Sequence, residues 1–553
     1  MSNKFALLSI LFLCSTLFSF IAFSPRQNGD KISVSISSGN DYNTAWHKVD
    51  SLQSKGLTRS AFEVVEQIYT AAKKENNQPQ IIKSFIHKLK FTNYTEEESH
   101  QKIINEVKNQ IDSSSFPSNA IFRSILAQIY WQYYTYNRYR FQNRTETVNF
   151  DSQDLPAGEA DFHTCDLPHL IKEIIKQYQL SLAKGDSLKL IPIEQFKEVI
   201  VYFNSKDAYL RPTLFDLLAH NALSFYINDE ASVTEPVYKF ELKEAAEFAP
   251  PEDFIKINFE TRDSLSLKFF AAKLFHSLIG FHLKDEKKDA LIDVDLMRLN
   301  FIRKESINQF KDSLYLNSLV QMEKAFADVP YSSMISFNKA NYFYELGKKY
   351  NASVSDAYKW DLKNAKEICE SAIEKYPDTH SASECLWLKN QILQKNLTIK
   401  TEYGNLPGKP FRALVAYSNT NKIFLRIIPW NERKEKYAPK ENEEKIKFYT
   451  VQKPLKEWEV QLPDDKDFQT HSVEIKIPSL EKGEYLILAG SDKNFSPEKN
   501  FVAYGKTWVT NLSYLRREKA DESEIVVTER ESGDPVSGAD VIKYVQKYTP
   551  DYR

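Results

Sequence analysis

The sequence predicts a multidomain chain, α first and then β: stacked helical hairpins, an antiparallel β-sandwich, and the truncated start of a further β domain. Three observations carry this. Apolar residues recur every three or four positions as far as Lys395, the spacing of an amphipathic helix. Between Leu397 and Trp430 the period drops to two. Beyond Trp430, short alternating runs follow at roughly 8–12-residue intervals, the signature of a sandwich.

Length and composition bound the rest. A chain of 553 residues exceeds one hydrophobic core, and about three or four domains are expected at ~100–200 residues each. A net charge of −2 creates no field for nucleic acid or an anionic membrane. Only 14 glycines occur, far below the usual ~7%, which argues against phosphate-cradling loops.

At the N-terminus Lys4 precedes an apolar run from Phe5 to Phe23, and Ser24-Pro25-Arg26 ends it. Residues 1–24 therefore read as a signal peptide or an uncleaved membrane anchor. Residues 25–43 form a polar tether, and the body of the chain is expected outside the cytoplasm, in the periplasm or cell envelope. Membrane contact is expected through this apolar segment alone. Cys14 follows Leu13 rather than a small residue, so it is not a lipid-attachment cysteine. The three remaining cysteines are too few for a disulfide scaffold.

Helices begin near Thr44. Trp46, Val49 and Leu52 form one stripe, and Lys55-Gly56-Leu57 breaks it. Ala61, Val64, Val65, Ile68 and Ala72 form the next, and Ile81, Ile82, Phe85 and Ile86 open a third. Short turns between such helices impose antiparallel hairpins, and stacked hairpins make a solenoid. The aromatic stretch Asn119–Phe141 reads as a core helix with tyrosine hydroxyls at its rim, in preference to a stacking platform. Asn149–Ala160 reads as a loop, and Asp166 and Pro168 open a helix to about Leu182. Helices are also expected over Pro192–Phe203, Thr213–Ile227, Ser264–Leu283 and Ile307–Phe326. A proline-bearing connection, 233–263, separates helical subdomains 44–232 and 264–396.

In the β half, strands are expected at Thr398–Tyr403, Phe411–Tyr417, Ile423–Ile427, Lys447–Val451, Trp458–Leu462, Val473–Ile477 and Tyr485–Ala489. Phe501–Tyr504 and Thr507–Leu512 complete the set. Asn431–Lys445 reads as a solvated loop. The sandwich spans 397–515. Residues 516–553 begin a further β domain with Ile525–Thr528, and a lone hairpin there is marginal in water, so the chain reads as a fragment. The first strand follows Lys395-Asn396 with almost no linker, which predicts a rigid joint.

Reaction chemistry is sparse. His163-Thr164-Cys165 and His169, with Asp161 and Asp166, have no recognised zinc spacing and read as a loop before a helix cap rather than a metal site. His276 and His282 are six apart and fall on different helix faces. H-E-x-x-H, G-x-S-x-G and P-loop patterns are missing. The expectation is therefore no catalytic residue, no metal and no cofactor: not an enzyme. Cys369 and Cys385 lie on consecutive helices about the turn Tyr376–His380, at similar heights. A structural disulfide and a pair of small core residues are the two readings.

Leu346-Gly347-Lys348-Lys349-Tyr350, then Ala365, Cys369, Ala372, Ile373, Tyr376 and Pro377, resemble a tetratricopeptide repeat with an over-long loop. From Leu397 the sequence resembles the start of the macroglobulin region in bacterial alpha-2-macroglobulin-like proteins. The residues concerned are Asn405-Leu406-Pro407-Gly408-Lys409-Pro410-Phe411, Lys422–Ile427, and Ile477–Ala489. Trp508–Tyr514 and Asp534–Val541 resemble the lead into the following domain. Tyr130–Tyr134, Asn143–Thr147 and Arg211–Leu214 resemble the helical extension of one bacterial branch. The resemblance implies a macroglobulin-type sandwich and an exported protease inhibitor that traps its target.

No cysteine here is followed by the x-Glu-Gln of a thioester. The implied role is thus a non-enzymatic scaffold or docking segment, with proteases engaged by the full-length protein and envelope proteins as further partners. The competing reading is an exported surface adaptor whose solenoid binds a peptide or an envelope protein.

Overall fold

In the computed structural model, residues 39–95, 100–142, 167–200, 208–231, 238–431, 435–496, 501–518 and 523–542 are described. The apolar run Phe5–Phe23, the loop Asn149–Ala160, and Asp161, His163, Cys165 and Asp166 lie outside the described residues. Among the described residues no helix is long and apolar enough to cross a membrane. The chain divides into two compact units, Met1–Ile335 and Ser336–Arg553.

The first unit is helical, and its hairpins follow from the stripes. Helices α1 (Gly39–Ser54), α2 (Thr58–Glu75) and α3 (Gln78–Thr95) pack in sequence. The turns between them use left-handed backbone at Gly56 (φ 73°) and Asn76 (φ 54°), where the chain reverses. Ala61, Val64, Val65, Ile68 and Ala72 are all fully buried, which is the predicted stripe. α4 (His100–Ser113), the aromatic α5 (Ser118–Gln142) and α6 (Leu167–Leu182) continue the packing. On α5 the rings of Tyr130, Tyr133 and Tyr134 are buried, whereas Tyr136 and Tyr139 are exposed. The core-helix reading thus holds for the inner face of α5.

The predicted helix Pro192–Phe203 is a correction. After the short α7 (Gly185–Lys189), the described part, 192–200, holds only a single 3-10 turn, Ile193–Phe196. Pro192 bridges Thr213, and Ile193 N donates to Pro212 O, so the backbone serves a tertiary pairing instead of a helix. α8 (Leu214–Tyr226), the one-turn α9 (Pro251–Phe254), α10 (Leu267–His282), α11 (Asp289–Glu305) and α12 (Lys311–Ala325) complete this unit. No stripe announced α11. Leu291, Ile292, Val294, Leu296, Leu299, Phe301 and Ile302 are buried around most of its circumference, which blurs the one-sided pattern.

In the second unit α13 (Ser333–Gly347), α14 (Asp361–Lys375) and α15 (His380–Leu393) precede the sheets. Gly347 ends α13 against α14: a Cβ there would stand 2.8 Å from the Leu362 backbone nitrogen. The strands are β1 (Asn396–Thr401), β2 (Gly404–Asn405), β3 (Phe411–Ser418), β4 (Lys422–Trp430), β5 (Lys456–Gln461), β6 (His471–Ile477), β7 (Gly483–Gly490) and β8 (Val502–Val509). One sheet has the order β1-β3-β6 and is antiparallel; the other has the order β2-β8-β7-β4-β5, with only β2 parallel to its neighbour. Registers such as Ala413↔Ile475 and Leu425↔Ala489 place every second residue inward. Leu397, Ile399, Val415 and Ile475 from one sheet and Ile423, Leu425, Ile427 and Ile487 from the other form a single core.

The predicted elements change at two places here. Lys447–Thr450, most of an expected strand, and Asn442–Lys445, the end of an expected solvated loop, belong to helix α16 (Asn442–Thr450). This helix covers the outer face of the larger sheet, where Tyr449 packs with Ile428, Trp430, Leu486 and Leu488. The two runs expected over 501–512 form one strand, β8, whose Gly505 passes close to Thr401 and the Ile399 carbonyl. β9 (Leu512–Glu518) and β10 (Ser523–Glu529) make a separate two-stranded sheet.

Candidate functional site

Polar chemistry in the helical unit gathers where α8 meets α10. Thr213 caps α8 reciprocally: its hydroxyl accepts from Asp216 N, and Asp216 Oδ2 accepts from Thr213 N at 2.9 Å. The cap fixes Asp216 facing inward, with Oδ1 2.8 Å from Nε2 of His282, the last residue of α10. Nδ1 of the same ring lies 2.6 Å from Asp285 Oδ2. Burial disfavours the charged ring, yet the bonds and charges of Asp216 and Asp285 prevail and raise its pKa. Burial also opposes ionisation of Asp216, and the bond to His282 overcomes it, lowering that pKa. His220 bonds the Asp216 carbonyl through Nδ1 at 2.8 Å. Desolvation and the neighbouring Arg211 charge push it down to about 3. His276 plays no part: its Nε2 meets the Ile255 carbonyl.

Asp216 and His282 are both fully buried, and Asp285 reaches the ring from a partly exposed position. The cluster fastens α8 to α10. A second fastening surrounds Arg298, also buried, whose Nε donates to Asp295 Oδ1 at 2.7 Å and whose Nη2 donates to Ala249 O at 3.0 Å. The guanidinium stands 4.3 Å over the Phe254 ring. Burial pushes Asp295 up despite Arg298, and pushes the nearby Glu247 up to about 7.

In the second unit the polar groups join the α13–α15 helices to the sheets. Asn419, left-handed at φ 57° in the β3–β4 turn, donates to Ile392 O at 2.7 Å and Gln394 O at 2.9 Å. Gln469, buried in the β5–β6 loop, donates to Gly347 O at 3.1 Å and Lys359 O at 3.3 Å. Its neighbour Phe468 packs against the core of α14 and α15. These contacts join the end of α15 and the α13–α14 loop to sandwich loops.

On the outer face of the larger sheet, Glu435 accepts from Lys445 at 2.8 Å, Lys506 at 2.8 Å and Tyr449 at 3.1 Å. Its partial burial opposes the charge, but these donors hold the carboxyl near 2. The group ties α16 to β8.

Cys369 and Cys385 lie where the sequence placed them, on facing helices α14 and α15 in one core, both fully buried and both free thiols. A hydrogen bond with Cys385, together with burial, pushes the Cys369 thiol up. His169 lies on α6, and its four proposed companions fall outside the described residues.

The chain matches no protein-family model and no curated protein sequence.

Sequence reasoning missed the Asp216–His282 pair, whose members stand 66 positions apart and carry no local signal. It also missed Asp465, Asp467 and His471, which the β5–β6 loop gathers with candidate donor atoms within 4.8 Å of one another. The alternate spacing Asp465-x-Asp467 with His471 four residues on, across a turn between strands, was a readable signal.

Proposed function

We propose that this chain is a non-catalytic scaffold or docking segment, helical repeats followed by a macroglobulin-type sandwich, of an exported alpha-2-macroglobulin-like protein that traps endopeptidases as a whole. The supporting observation is the strand order, a three-stranded sheet β1-β3-β6 against β2-β8-β7-β4-β5. A fold alone does not assign a function. The resemblance of Asn405–Phe411 and Ile477–Ala489 to the macroglobulin pattern is what points to this family. The attachment of β9–β10 adds support: Arg530 N donates to Asn511 O at 2.7 Å, and Lys409 pairs with Glu531. A further β unit beginning there would continue the series. The helical hairpin α13–α14, which carries Leu346-Gly347 and then Ala365, Cys369 and Ala372, is the tetratricopeptide-like element in this reading.

The test uses the complete gene product purified from its source and mixed with serine, cysteine and metallo-endopeptidases. Trapping protects a large protein substrate while a short peptide is still cleaved. Removal of the helical segment is expected to weaken that protection. Equal cleavage of large and small substrates by all three protease classes would overturn the proposal.

A further inference from the structure

We propose that the β5–β6 loop binds a divalent transition-metal cation of the zinc class through Asp465, Asp467 and His471. The three offer two carboxylates and one imidazole, with donor atoms within 4.8 Å of one another. Zinc ligands at about 2.0–2.2 Å stand on the order of 3.3 Å apart, so closure around the ion asks roughly 1 Å of movement from the set. Mixed oxygen and nitrogen donors suit zinc better than the hard cations, which prefer oxygen alone.

A second observation is independent of this clustering. Asp467 is 1% exposed, and its Oδ2 is sealed from solvent with no hydrogen-bond partner among the described residues. Its other oxygen, Oδ1, accepts from Gln469 N at 2.9 Å and faces His471 Nε2 at 2.8 Å. A buried carboxylate with one empty oxygen is costly unless a cation or donor approaches it. Lys359 serves Asp465, at 3.1 Å from its Oδ2.

The loop is also held in place. Gln469 anchors it to the carbonyls of Gly347 and Lys359, and His471 begins β6, paired with Tyr417. Metal uptake takes the neutral His471 ring with its proton on Nδ1 and its Nε2 lone pair on the ion. The Lys359 ammonium, the competing cation, then leaves Asp465. Lys359 lies 5.6 Å from the Trp360 ring, which makes that indole a reporter of its departure.

The experiment titrates chelator-treated protein with zinc chloride by calorimetry and by tryptophan emission, with magnesium chloride as comparison. One zinc per chain is expected, with at least tenfold weaker binding in Asp465→Ala and His471→Ala. Lys359→Met, which removes the competitor, is expected to bind several-fold tighter. Asp465 and His471 sit at the surface side of the loop, and unchanged circular dichroism establishes that their variants fold. Absence of a saturable zinc equivalent, native affinity in either alanine variant, or preference for magnesium would each overturn the assignment.

Discussion

Replacing His282 by asparagine probes the fastening between α8 and α10. The substitution removes a ring that bridges Asp216 at 2.8 Å and Asp285 at 2.6 Å, and leaves the buried Asp216 carboxylate without the partner that offsets its burial. Removing one partner of a buried ion pair costs about 3–5 kcal/mol. At 1.4 kcal/mol per decade, that raises the population of locally opened α8 roughly a hundredfold to a few thousandfold. The sign with pH follows from the directions of the shifts. His282 is raised in the folded state, so its stabilisation is fully present below its unfolded pKa near ~6.5 and fades as pH rises through the folded value. Asp216 is lowered, so its share is present above about 3.9 and is lost as pH falls through its folded value. The gap between native protein and His282→Asn is therefore widest between about pH 4 and 6.5. His220 and Arg211 face the same cluster. His220, pushed down to about 3, does not change charge in that window. Hydrogen exchange of α8 and α10 peptides across pH 5–9 is the assay. Exchange unaltered by the substitution, or a gap that stays constant with pH, would refute the ion-pair reasoning.

Gly347→Ala drives a Cβ to 2.8 Å from the Leu362 nitrogen and is expected to cost about 1–3 kcal/mol, read as a lower melting temperature of α13 and α14. Gln469→Ala removes donors to the carbonyls of Gly347 and Lys359, a loss of about 1–2 kcal/mol. Limited proteolysis is expected to cut the α13–α14 loop faster in that variant. Glu435 is held near 2 by Lys445, Lys506 and Tyr449 against its own burial. Its contribution is present above about 4.3 and lost as pH falls through about 2, so Glu435→Gln is expected to flatten acid unfolding of α16 over that range. Cys369 and Cys385, both fully buried, are expected to resist iodoacetamide in the native protein and to alkylate once urea exposes them.

Where one face of an element is buried and the other wet, its position is written in the sequence. Leu397 and Ile399, Ala413 and Val415, and Ile423 and Leu425 alternate because a single core lies between the two sheets. The stripe on α2 is legible for the same reason. Legibility fails where both faces are covered. β7 reads Tyr485-Leu486-Ile487-Leu488-Ala489 without alternation because α16 packs on its far side, and that unbroken run was the hint of a covering helix. The helix itself was misread as a strand, since Phe448 and Tyr449 are the aromatic types that strands favour. α11 stayed hidden because its buried circumference includes Asp295 and Arg298, which neutralise each other. Of the polar sites, the cap Thr213–Asp216 is local and readable. The partner His282 is not, because only the packing of α8 on α10 brings it near.

The joint between helices and sheets bears on where the chain can be cut. A fragment begun at Leu397, where the hydrophobic period changes, would leave Asn419 and Gln469 pointing at carbonyls no longer there and would strip the cover from Phe468. A fragment begun at Ser336 keeps all three contacts with their partners. The minimal folding piece that contains the sandwich therefore starts some way upstream of its first strand, and the helical hairpin travels with it as a built-in lid on its loops.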